Sequence, residues 1–185
     1  MVPVDRMEQP DPVSDAAAYQ RHLLDALGAD DPAAAQATTP ASLRRLVADA
    51  GADLRRRPAA GEWSVLELIG HIADAEMVST GRYRWILAHD RPDILPSDQD
   101  LWVERLRANE LEPDDLLTPF EALRAANLAL WRRTPISERA RYGIHRERGP
   151  ESYELTFRLI AGHDRIHTQQ ARRTLALIQA AGQGG

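Results

Sequence analysis

Ser64-Val65-Leu66-Glu67 opens a segment that reads as one long helix, and that segment constrains what the rest of the chain can become. Ser64 supplies an N-cap oxygen, Glu67 three residues later completes a reciprocal capping box, and Trp63 is placed to staple onto Leu68. Helix-compatible residues then run to about Ala88 with no proline, stopping before Asp90-Arg91-Pro92. Residues 65–88 as a helix span about 36 Å. A rod of that length has to lay its apolar stripe against other helices. The capping box also gives Glu67 a structural task, which removes it from the candidate metal ligands.

The remaining punctuation marks helices too. The sequence predicts a short helix over 15–27, closed by Gly28 and an Asp30-Asp31-Pro32 breaker. Thr39-Pro40, as N-cap and first helical residue, opens a second helix that runs to about Ala50 before Gly51. A further helix covers Asp114 to Arg133, started either by Pro113 or by the Thr118-Pro119-Phe120-Glu121 box. The last begins at Ser152 as N-cap and extends to about Ala180, before Gly182-Gln183-Gly184-Gly185. Residues 100–108 read as a short connecting helix. Strand-like alternation is absent, and irregular chain is confined to 90–113 and 134–151. The expected fold is all-α: a four-helix bundle with a long crossover through 90–113 and an extra short N-terminal helix. Residues 1–13, rich in acids and prolines, are expected to form a flexible tail, and residues 14–185 a single domain.

Composition removes several function classes. The chain has no cysteine, so any metal must be held by nitrogen and oxygen, and any thiol chemistry must use a small-molecule thiol. A net charge of −5 argues against nucleic acid as the main ligand, and the arginines at 55–57 and 172–173 read as solvated helix surface. No apolar run approaches the roughly 20 residues of a membrane span, and the N-terminus lacks the apolar core of a signal peptide. A cytoplasmic protein is expected.

Three histidines form the candidate site. His163 and His167 stand four residues apart in GHDRIH, on one helix face and about 6 Å apart along its axis. His71 lies mid-helix on a seam with Leu68, Ala75 and Val78. Two ligands from one helix and one from another can coordinate a divalent metal facially and leave positions open for water or substrate. A lone apolar-flanked histidine reads as a hydrogen-bonded core residue. Three of them leave several buried polar groups to satisfy unless they share a purpose. Gly70 and Gly162, each preceding a histidine, point to close helix approach or to room for a ligand. Asp74, one turn after His71, can orient an imidazole or act as a base toward water, or simply face solvent. Glu76 is the carboxylate most expected to be buried, either paired with an arginine of another helix or facing the pocket, and Gln170 extends the His163/His167 face toward a ligand or water. GHDRIH is also a near miss to the zincin signature, with Asp164 where the general-base glutamate would stand and no third ligand downstream. His22, His89 and His145 receive no role.

EWSVLELIGHIADAE (62–76), followed about ninety residues later by LIAGHDRIHTQQ (159–170), resembles the DinB-like, or YfiT-like, superfamily of metal-dependent enzymes. The resemblance covers most of residues 40–178. It implies a four-helix bundle with a long crossover, frequent homodimers, and a divalent metal held by His71, His163 and His167; a three-imidazole site does not discriminate strongly, so zinc and nickel are both expected candidates. It also implies, for characterised relatives, S-transferase or isomerase chemistry with a low-molecular-weight thiol as co-substrate. Three functions are therefore carried forward. The first is a metal-dependent thiol transferase acting on a small molecule. The second is a metal-dependent hydrolase of small substrates with Asp74 or a neighbouring acid as base, and the third a stress-associated metal-binding dimer without turnover. A homodimer through the 65–88 helix is expected because Met77, Val78, Tyr83, Trp85 and Ile86 surround much of its circumference.

Overall fold

The computed structural model describes residues 10–11 and 14–183. Only Pro10 and Asp11 of the expected N-terminal tail fall within that range, so the rest of it lies outside the described residues. Six α-helices are present among them: α1 (Ala16–Leu27), α2 (Pro32–Ala50), α3 (Val65–Ala88), α4 (Gln99–Arg105), α5 (Pro113–Arg133) and α6 (Tyr153–Gln183). Helices α2, α3, α5 and α6 form a four-helix bundle in which α3 and α2 each pack against both α5 and α6, while α1 lies against α6. The crossover after α3 contains α4. No described helix is long and apolar enough to cross a membrane.

The Ser64 box forms as expected: Ser64 Oγ accepts from the Glu67 N–H, and the Glu67 carboxylate accepts from the Ser64 N–H at 2.8 Å. Glu67 also pairs with Arg57. The second helix departs from expectation, because α2 begins at Pro32 rather than at Pro40. Asp31 is the N-cap, accepting from the Ala34 N–H at 2.7 Å, with Pro32 at the first helical position, so the expected breaker is a start signal. Pro40 lies inside the helix, where it cannot donate to the Gln36 carbonyl one turn back. That carbonyl accepts instead from Arg124 on α5 at 3.0 Å, so the internal proline leaves no buried orphan. Pro113 opens α5, where Glu112 and Asp115 form the box, and Pro119 is internal. Ser152 accepts from the Leu155 N–H at 3.0 Å at the start of α6.

The expectation of no strands is corrected. A small sheet of order β1-β2-β3 joins β1 (Asp93–Ile94), β2 (Tyr142–His145) and β3 (Gly149–Ser152). β1 runs parallel to β2, and β2 pairs antiparallel with β3, Gly143 opposite Glu151. The strands are two to four residues long, too short for alternation to register in the sequence. They tie the crossover to the segment before α6.

The core has two large apolar clusters, beside a small third one of Leu23, Leu159 and Ile166 between α1 and α6. One large cluster holds Leu43, Leu66, Ile69, Ile72, Leu117 and Phe120, and the other Tyr83, Ile86, Trp131, Tyr153 and Phe157, with Trp131 and Phe157 stacked at 4.1 Å. A buried polar network ties all four bundle helices together. Arg124 donates to Glu76 on α3 at 2.9 Å, to Asp164 on α6 at 2.6 Å and to the Gln36 carbonyl on α2. Asn127 donates to Glu76, and Thr39 to Asp164, both at 2.8 Å.

Candidate metal centre

The structure brings His71 of α3 together with His163 and His167 of α6, all three buried. The capping box sets the register of α3, and the four-residue spacing puts the α6 pair on one face. The ring centroids lie 4.3 to 4.7 Å apart. One ring nitrogen from each imidazole falls within 4.8 Å of the others. Gly70 and Gly162 serve helix approach. A Cβ on Gly70 would stand 2.9 Å from the Ala108 Cβ, and one on Gly162 would overlap the Leu23 carbonyl of α1.

The donor set fits a divalent cation. His71 Nε2 and His163 Nε2 are 2.8 Å apart. Two nitrogens each about 2.1 Å from one ion stand roughly 3 Å apart at a right angle, so this separation is close to what a shared cation requires. Gln170 Oε1 lies 2.9 Å from His167 Nδ1, and as an acceptor it places the proton on Nδ1 and makes Nε2 the unprotonated ring nitrogen. Burial first, then the neighbouring His167, His71 and Arg124, holds the His163 imidazole neutral, well below the ordinary histidine range. A neutral imidazole is the ligating form. The structure therefore places Gln170 against a histidine, as an orienting group.

His71 and His163 open onto a cavity of about 500 Å³, which Asp74 also lines and which Leu23, Val78 and Ile160 wall. Burial pushes the Asp74 carboxyl up to about 6. It is ionised at neutral pH yet more basic than an exposed aspartate. Glu76 and Asp164 turn away into the Arg124 network, which leaves Asp164 without the zincin base role. His22 and His89 lie outside the cluster. His145, expected in a loop, sits buried in β2.

Sequence reasoning missed Arg124, which reads as an ordinary helix-surface arginine. The one signal for it was Glu76, a buried-looking carboxylate in need of a cation. It also missed the far wall of the cavity, where Arg82, Arg148 and Glu151 stand.

A family model described as the DinB superfamily matches residues 33–171. A Bacillus cereus protein (strain ATCC 10987 / NRS 248), provisionally named a metal-dependent hydrolase, is 28% identical over 108 residues, 58% of this chain and 62% of its own. A Geobacillus thermodenitrificans protein of the same provisional name is 33% identical over 63 residues, 34% of this chain and 35% of its own. The chain thus matches less than two thirds of the length of these relatives. YfiT from Bacillus subtilis, described as a probable metal-dependent hydrolase with an unusual four-helix bundle topology, shares the fold. Its TM-score is 0.72 at 20% identity, over 96% of both chains.

Proposed function

The chain belongs to the DinB superfamily, and from that premise we propose that it is a metal-dependent hydrolase of small substrates. The observation that carries the reading is the buried three-histidine cluster opening onto a cavity that also presents the Asp74 carboxylate. The provisional names of the relatives support hydrolysis over transfer. His71, His163 and His167 would hold the cation, which when bound supplies Lewis acidity toward a substrate carbonyl or water. Gln170 fixes the His167 tautomer. Asp74 takes the proton of the attacking water at a carboxylate oxygen, and the apolar walls limit bulk water. Transfer of a low-molecular-weight thiol is the second reading, favoured by a cavity large enough for a whole cofactor-sized ligand.

The test is a screen of zinc- or nickel-loaded protein against small esters and amides, with and without added thiols. Hydrolysis without thiol, lost in His163→Ala and reduced about 10²-fold or more in Asp74→Asn, is expected. Turnover only with a thiol would move the conclusion to transfer. Turnover unchanged in His163→Ala would refute both.

A further inference from the structure

The far wall of the cavity holds a buried positive charge that the proposed hydrolysis does not use. Arg82 of α3 is 8% exposed and lines the cavity, yet it has no ion pair among the described residues. Among the described residues its one hydrogen bond runs from Nη2 to the Leu95 carbonyl at 2.9 Å, and its buried Nε has no partner there. Ser79, one turn earlier on the same face, is 1% exposed and its Oγ is also without a partner. The neighbouring buried carboxylate is committed elsewhere: Glu151 receives Arg148 at 2.5 and 3.1 Å and Gln20 at 2.8 Å. Of the two guanidinium groups, Arg148 alone pairs with this buried carboxylate. His145 does not redress the balance, because burial first and Arg148 next push it down to about 4, leaving it neutral. Asp11, Asp98, Asp100 and Glu147 also line the cavity, but all four are exposed, where solvent screens them, and Asp74 stands at the histidine end.

An unpaired buried guanidinium is costly, and a bound anion would offset that cost. We propose that Arg82, with Ser79 beside it, anchors a carboxylate group of the ligand at the end of the cavity away from the histidines. This deepens the hydrolase reading, on which it rests, by naming the substrate class. Arg82 lies eleven residues after His71, about 16 Å along the helix axis, and its side chain leans back toward the helix N-terminus. The ligand is thus a small carboxylate whose anionic group stands on the order of 10 Å from its reacting bond. Val78, Leu159 and Ile160 line the space between and fit an apolar spacer.

The test compares hexanoate with its neutral analogue hexanamide, titrated into metal-free protein and followed by NMR, so that neither metal nor turnover enters the readout. Hexanoate is expected to bind roughly tenfold tighter than hexanamide. Arg82→Gln should erase that preference, and Arg82→Lys should keep part of it. Equal binding of acid and amide by the wild-type protein would overturn the proposal with no variant needed. So would a preference that survives in folded Arg82→Gln. A carboxylate preference at Arg82 alongside failure of every ester and amide screen would refute hydrolysis and leave the anchor standing.

Discussion

Alanine at Gly162 sets two effects of known size against each other. In a helix interior the substitution gains up to about 1 kcal/mol from helix propensity. The new Cβ would overlap the Leu23 carbonyl oxygen and stand 2.6 Å from its carbon, where ordinary contact begins at 3.4 Å. Both atoms are backbone, so no side-chain rotation relieves the clash, and α1 must move or undock. Undocking exposes Leu23 and Leu27, buried at 4% and 1% exposure. Each is worth about 1.5–3 kcal/mol when fully buried. The loss of about 3–6 kcal/mol outweighs the gain, leaving a net destabilisation of about 2–5 kcal/mol. For a domain of this size that lowers Tm by roughly 5–15 °C. Hydrogen exchange should show α1 losing protection while α3 and α6 keep theirs. An unchanged Tm with α1 still protected would refute the packing argument.

Arg124→Met should destabilise the fold by at least about 3–5 kcal/mol, because it strands Glu76 and Asp164 as buried charges, and chemical denaturation measures it. Asp74 has its folded pKa raised from 3.8 to about 6, so its contribution to stability is present below the lower value and lost as pH rises toward the upper. Melting curves of metal-free protein should show that dependence, and Asp74→Asn should lack it. We also propose a homodimer through α3. The core absorbs Tyr83 and Ile86, but Met77 and Trp85 remain 53% and 46% exposed on one face with Gly81 between them. Sedimentation should find a dimer that Trp85→Glu dissociates, and a monomer at tens of micromolar would exclude it.

What is legible in the sequence is local. The Ser64–Glu67 box, the bounds of α3 and the shared face of His163 and His167 all follow from residues within one or two turns of each other. The start of α2 is not decided locally, because Thr39-Pro40 satisfies the same rule as Asp31-Pro32. Only Arg124, 88 residues away from Gln36, makes an internal proline tolerable. Arg124 and Arg82 carry no sequence signal of their own, since burial and missing partners are properties of the assembled bundle. The sheet leaves no trace in the sequence because β2 and β3, though adjacent, are only four residues each, and β1 pairs with β2 across about fifty residues.

We propose that His71, His163 and His167 together hold one divalent cation. Elemental analysis of untagged protein, reconstituted with zinc or nickel and dialysed, tests it most directly. One metal per chain is predicted for the wild type and none for His163→Ala, with helical circular dichroism nearly unchanged because the bundle has its own core. Wild-type metal content in a folded His163→Ala variant would contradict the assignment.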